Sequence, residues 1–443
     1  MTKSLTNEPG AIATAAAIAA GDISPLEAVD AAIARIEALD GPLNAVVVRD
    51  FDRARDTAKL LDGKRPTPDQ PLFGVPMTVK ESFNMAGLPT TFGHLEFKDN
   101  VAQADSRVVE LLKRAGTIIL GKTNVPPDLA DLQSDNPVYG RTNNPRNHSR
   151  VAGGSSGGSA VAVATGMVPA EYGTDIGSSI RNPAHFNGVF GHKTTFGLVS
   201  KRGHTHPMAG GLDVHDSPLS VAGPFARDTE DLALLLEVTA ERPVLRSGKA
   251  LKDIRFLAIV EHPVSKVDAS VSEPIEAALA AIESAGARVD TNSNLVPDLA
   301  QQHADYMLLM RAAMTRGQPR PDGEAVSLAD YYQLLDAQAR NRYAWSDLFE
   351  NYDFVLAPPL PFVAYPHDTV SIFDRRISIN GKDNAFIDAL AWAGLATFPN
   401  LPSTVVPVGE SAGLPCGMQV IGREWADLDC IDAAGQIAQI LSD

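Results

Sequence analysis

Gly153-Gly-Ser155-Ser156-Gly-Gly158-Ser159, running straight into Ala160-Val-Ala-Val-Ala-Thr-Gly166, is the densest signal in the chain. It reads as a tight turn feeding the amino end of an alanine-rich helix. Glycine lets backbone approach a ligand closely, and a helix start offers unpaired N–H groups. Several chemistries use such a loop. A phosphate loop would end in Gly-Lys-Ser/Thr, and no lysine stands here. A nucleophile elbow, G-x-S-x-G, is formally met by Gly153 to Gly157 but should follow an apolar strand. The preceding Asn143-Asn-Pro-Arg-Asn-His-Ser-Arg150 is polar and turn-like, so the elbow fails on context.

Downstream lies Val168-Pro-Ala-Glu-Tyr-Gly173-Thr-Asp175-Ile-Gly177-Ser178-Ser179-Ile-Arg181-Asn-Pro183. An extended segment enters a glycine-containing turn, and Pro183 is expected to end any helix there. Successive N–H groups from Ile176 to Ser179 could converge on one point, as an oxyanion requires. A serine-rich turn capping the next helix explains the same residues, and taken alone it is the simpler account. Upstream, Pro71-Leu-Phe-Gly-Val-Pro-Met-Thr-Val-Lys80 predicts a short buried strand delivering Lys80 to the edge of a core. An amphipathic helix over Asp105 to Ala115 precedes an apolar strand, Thr117 to Leu120, ended by Gly121. The same order recurs at Pro274 to Ala287 followed by Arg288-Val289. Such alternation argues for an α/β fold around a largely buried sheet. Three helices open the chain, at Ala11 to Ala20, from Ser24-Pro25 with Glu27 in the capping-box position, and at Phe51 to Leu61.

With 443 residues, 44% apolar and 21% charged, the chain has the make-up of a soluble globular protein. No repeat, linker or charge run marks a boundary, so one compact unit over 1–443 is expected. Within it, helices fill 1–65, a core spans about 71–230, and a variable stretch covers about 300–400. A net charge of −16 disfavours nucleic acid and anionic membrane as partners. No run of apolar residues is long enough to span a bilayer. Two cysteines make no disulfide framework, which suits a cytoplasmic protein.

The two serine segments together, with Ser155 and Ser179 a fixed 24 residues apart, resemble the amidase-signature family. Gly188-Val-Phe-Gly191-His-Lys193, the lysine motif Gly74-Val-Pro-Met-Thr-Val-Lys80-Glu and Gly121-Lys-Thr-Asn-Val-Pro126 extend the resemblance. So do Leu401-Pro-Ser-Thr-Val-Val-Pro407 with Gly413-Leu-Pro-Cys-Gly-Met-Gln-Val-Ile-Gly422, and the opening helix from Gly21. These motifs stand in the family's order over nearly the whole chain. The resemblance implies an α/β fold with a central mixed, twisted β-sheet covered by helices on both faces. It implies an amidohydrolase in which Lys80 is the terminal base, Ser155 the bridging serine and Ser179 the nucleophile. It further implies a cis peptide before Ser155, and an oxyanion hole from the backbone of Ile176, Gly177, Ser178 and Ser179. Leu129 and Ser155 would contact substrate. Neither metal nor cofactor is called for, the substrate would be a small-molecule amide, and a homodimer is reasonable. Three positions depart from the pattern: Ser178 replaces a glycine, and Ala152 and Thr194 replace prolines. If position 178 needs φ > 0, Ser178 carries strain of ~1 kcal/mol or more.

Other candidates read as structural. Ser156 supports the loop, and Asp175 with Arg181 forms an ion pair holding the nucleophile turn. His204 and His206 lack the companion carboxylate or cysteine of a zinc site, so a loop role is favoured. His192 packs in the core, and Cys416 has nothing nearby to activate it. Tyr306 to Met314, with Tyr331, Tyr332, Tyr343 and Trp345, supply mostly core residues, some facing an acyl or aryl pocket. Two rivals remain: a non-autonomous subunit of a transamidating complex, and a binding protein on an inactive hydrolase fold. Intact Lys80, Ser155 and Ser179 argue against the second.

Overall fold

A computed structural model describes residues 4–442, apart from 211, 213, 320–322 and 324. The opening helices form as their caps dictate. Ala11–Ala20 closes on Gly21 in the left-handed conformation, where a side chain would be strained. Pro25–Leu43 starts at Ser24, whose hydroxyl accepts the Glu27 N–H while the Glu27 carboxylate accepts the Ser24 N–H.

Eight strands build the main sheet, in the order 288–290, 255–258, 354–357, 414–422, 403–411, 190–193, 221–226, 170–175. The first three run parallel to one another and the remaining pairings are antiparallel, which makes the sheet mixed. Alternation along a strand explains how both faces are covered. Cys416, Met418 and Val420 point into a cluster with Ile431, Ala434 and Ile437 of helix Asp427–Ser442, and Ile275 and Ile282 of helix Ala269–Ser284. Ile421, of opposite parity, packs with Trp392 and Leu395, and Val405 packs with Ile180, Ala184 and Val161. Full burial of one such aliphatic side chain contributes roughly 1.5–3 kcal/mol, so helices on two faces are what a strand apolar at both parities needs. Among the described residues no helix is long and apolar enough to cross a membrane.

A second sheet of three strands, ordered 46–49, 118–123, 76–80, carries Lys80 at the end of its outer strand. Here one expectation fails. The middle strand does not stop before Gly121 but runs through it to Thr123. Gly121 is a close-approach site instead, because a Cβ there would strike the Val48 carbonyl oxygen. Pro183 is a second correction. It lies inside the short helix Arg181–Asn187 and does not end it. In the first turn of a helix the backbone N–H has no intrahelical acceptor, so its absence costs nothing there. Of the aromatic residues assigned to the core, Tyr306 and Trp345 are fully buried, whereas Tyr332 and Tyr343 are exposed.

Candidate active site

Lys80 is fully buried, as are Val79 and Phe83 beside it in the sequence. Its Nζ lies 2.7 Å from Ser155 Oγ and 2.8 Å from Thr174 Oγ1. Burial lowers the lysine to about 7, since an ammonium loses its hydration there; Asp175 and Glu171 pull the other way, and Lys201 adds to the lowering. The amine is therefore poised to exist unprotonated at neutral pH. Sequence reasoning anticipates the apolar surroundings but misses Thr174, the threonine of the Gly-Thr-Asp run.

The serine loop presents Ser155 through a cis Gly154–Ser155 peptide, as expected. Gly154 cannot be replaced without displacement: a Cβ would sit 2.5 Å from the Asp131 oxygen and 2.6 Å from the Gln133 nitrogen. Asn182, unremarked in the sequence, clamps this loop to the turn that carries Ser179. Its Oδ1 accepts the Gly154 N–H at 3.0 Å, and its Nδ2 donates to the Ser178 carbonyl at 2.7 Å and to the Gly154 carbonyl. Ser156 precedes helix Gly157–Ala164 and donates to the Thr174 carbonyl, a supporting role.

Ser179 follows strand Ala170–Asp175, at the main-sheet edge nearest Lys80. Asp175 and Arg181 pair at 2.9 Å, both side chains wholly buried. The Asp175 carboxylate also accepts the N–H groups of Ser178 (3.0 Å) and Ile180 (2.9 Å), which folds the turn around it. The Ser178 amide, one of the four expected oxyanion donors, is thus already bonded to Asp175. Ser178 does adopt φ 74°, the left-handed region that favours glycine. Tyr306 donates to the Ile176 carbonyl at 2.7 Å from helix Leu299–Thr315, bracing the turn from the opposite side. Ser179 is 4% exposed, and its carbonyl accepts the Ser156 N–H at 3.2 Å. Lys80 and Ser155 are thus in direct hydrogen bond, while Ser179 joins the serine loop through backbone.

Leu129 is half-buried with φ 58°, two residues before the Asp131 carbonyl that borders Gly154. His204 and His206 part company. His204 is held by Ser82 at 2.9 Å and packs edge-on against Phe83. His206 meets a carboxylate that its local sequence does not supply: Asp128 Oδ1 lies 3.1 Å from His206 and 2.7 Å from His94. These three could surround a metal ion. However, His206 Nδ1 accepts the Met208 N–H, so the neutral ring carries its proton on Nε2, toward Asp128. An ion on Nε2 would need the opposite tautomer, and the group is complete as a hydrogen-bonded loop fastener. His192 binds Thr404 and Asp427 in the core. Burial pushes the Cys416 thiol up to about 12, far from reactive.

Comparison with known proteins identifies the family. A family model described as Amidase matches residues 27–318 and 241–431. The indoleacetamide hydrolase of Bradyrhizobium diazoefficiens is 34% identical, over 96% of this chain and 85% of its own. A glutamyl-tRNA(Gln) amidotransferase subunit from Symbiobacterium thermophilum is 30% identical, over 94% of this chain and 93% of its own. Among solved structures, a bacterial aryl acylamidase superposes with a TM-score of 0.82 at 26% identity, covering 98% of this chain and 96% of that one. With a family match across most of its length, a mixed sheet covered by helices and this arrangement of lysine and serines, the chain belongs to the amidase-signature family, hydrolases of carbon–nitrogen bonds in amides.

Proposed function

We propose that this chain hydrolyses small-to-medium acyl or aryl amides, acyl hydrazides and anilides included, through an acyl-enzyme on Ser179. The observation that carries this reading is a fully buried lysine, lowered to about 7, with its Nζ 2.7 Å from Ser155 Oγ. A serine hydroxyl is a weak nucleophile and needs a base. Neutral Lys80 draws a proton from Ser155, which draws one from Ser179 as its Oγ attacks the carbonyl. The new oxyanion lies against the amides of Ile176, Gly177 and Ser179, each donor contributing on the order of 3 kcal/mol. The proton returns through Ser155 to the leaving nitrogen, the C–N bond breaks, and water releases the acid. An apolar wall supports an acyl or aryl group over a charged one. Met310 Sδ and Leu390 Cδ2 lie within 3.7 Å of where a side chain at Gly177 would begin, with the Tyr306 hydroxyl the one polar neighbour there. The chain's acidic charge and two buried free cysteines suit a cytoplasmic enzyme, and we read it as a homodimer acting on small molecules.

A second reading follows from relatives named as amidotransferase subunits: this chain as the amidase part of a complex, with little activity alone. The test is product release, by mass spectrometry, from primary amides, anilides, acyl hydrazides and esters, with wild type beside Ser179→Ala. Turnover by the isolated wild type that vanishes in the variant supports the free-standing hydrolase. Turnover surviving in Ser179→Ala overturns the nucleophile. No turnover by wild type favours the second reading.

A further inference from the structure

Strand Ala170–Asp175 buries a carboxyl group that nothing in the catalytic scheme uses. Glu171 is wholly buried, and no ion pair joins it to any described residue. Its Oε1 accepts the Thr123 hydroxyl at 2.6 Å, and Thr123 in turn meets Ser159 at 2.9 Å. Its Oε2 has no hydrogen-bond partner among the described residues. Thr123 is the register partner of Lys80 across the two parallel strands, so the carboxyl hangs from the residue beside the lysine. Thr174, which by alternation faces the other side of that strand from Glu171, accepts from Lys80 Nζ directly, so the link between Glu171 and the lysine runs through Thr123. Hydroxyls of Thr123, Ser159 and Thr78 and the Tyr172 amide partly offset its burial, but no cation pairs with it, and buried carboxyl groups of this kind cluster at functional sites.

We propose that Glu171 is a positioning residue for catalysis, the buried counter-charge that steadies Lys80 as it gains the proton of Ser179. This rests on Lys80 being the base, as argued above. When the nucleophile attacks, one proton moves from Ser179 through Ser155 to Lys80, and an ammonium appears in a site without water to solvate it. A carboxylate in the same pocket favours that ammonium. Burial raises Glu171 to about 7, close to the lysine, so the two titrate as a coupled pair. The other charged groups around Lys80 are Asp175, which favours the ammonium more than Glu171 does while also pairing with Arg181, and Lys201, which opposes it. Buried His204 also feels Lys80 and Lys201.

Glu171→Gln tests this, because the glutamine oxygen still accepts from Thr123 while the charge is gone. The readout is the rate at which a fluorophosphonate labels Ser179, followed by intact mass between pH 5 and 9. Labelling forms an Oγ–P bond, expels fluoride and hands the serine proton to Lys80, so it needs no known substrate. Loss of the carboxylate should lower the lysine, moving the acid limb of labelling down by about one pH unit and slowing the plateau severalfold. Glu171→Asp should restore the limb toward wild type. A limb that stays where wild type has it overturns the proposal, as does equal loss in Glu171→Asp. Should Glu171→Gln fail to fold, Thr123→Val removes the donor that favours the carboxylate and should move the limb the same way by less; no movement there overturns the proposal too. Labelling that persists in Ser179→Ala, or is untouched in Lys80→Met, would instead sink the underlying assignment of nucleophile and base.

Discussion

Replacing Lys80 by methionine should abolish activity and yet stabilise the fold at neutral pH, by an amount that shrinks as the pH rises. The lysine titrates near 10.5 when unfolded and at about 7 when folded. Between those values the unfolded chain holds a proton that the folded chain does not. Wild-type stability therefore climbs with pH through this window, by about 1.4 kcal/mol per unit, and is lost as pH falls toward 7. At pH 7.5 the penalty for keeping Lys80 is about 4 kcal/mol, and at pH 9.5 about 1 kcal/mol. Methionine keeps the apolar stem but forfeits hydrogen bonds to Ser155 and Thr174, worth about 1 kcal/mol each at any pH in the window. The variant should thus be about 2 kcal/mol more stable at pH 7.5 and no more stable than wild type at pH 9.5. Buried Lys122 and Lys193, also lowered by burial, are common to both proteins and cancel in the difference. Urea unfolding of the two proteins at pH 7.5, 8.5 and 9.5 measures it. A difference that stays flat with pH would mean that folded Lys80 is charged, and the amine could not be the base.

The same ionisation sets the rate: kcat/KM should fall about tenfold per pH unit below about 7, read from a pH profile on any turned-over amide. Ser178→Gly should relieve the left-handed backbone at φ 74° and raise stability by ~1 kcal/mol, seen as a higher thermal midpoint with activity retained. Asn182→Ala should unclamp the serine loop from the nucleophile turn and lower kcat by about tenfold or more with KM little changed, because misplacement acts on the transition state.

Local signals carry the sequence reading a long way. Caps and periodicity place the helices at Ala11, Pro25 and Phe51, and an apolar run places the strand ending at Lys80. The positions where structure and sequence part share a cause. Gly121 reads locally as a strand end, but its role is set by Val48, more than seventy residues away. His206 lacks a carboxylate in its own segment because Asp128 and His94 arrive from distant loops. Pro183 reads as a helix breaker unless the start of its helix is known, and that start depends on where the preceding strand ends. That Asp175 accepts the Ser178 amide shows only once the turn is folded around the carboxylate. Asn182, Thr174 and Glu171 are ordinary residues in the sequence, and only their long-range partners give them a role.

The lysine and the nucleophile hang from different sheets. Strand Pro76–Lys80 ends the three-stranded sheet and strand Ala170–Asp175 ends the eight-stranded one, with the 2.8 Å bond from Lys80 to Thr174 tying the two together. Catalysis is thus assembled where the two sheets meet, a seam also crossed by the bond from Thr123 to Glu171 and packed by Met77 and Val79 against Ala170 and Tyr172. A shift between the sheets would part lysine from serine without melting either one. Activity followed in dilute urea beside the fluorescence of the three tryptophans, of which Trp345 and Trp392 lie deep beside the large sheet, tests this. Inactivation ahead of the fluorescence change is the expected result, and loss of both together would mean that the seam melts with the sheets.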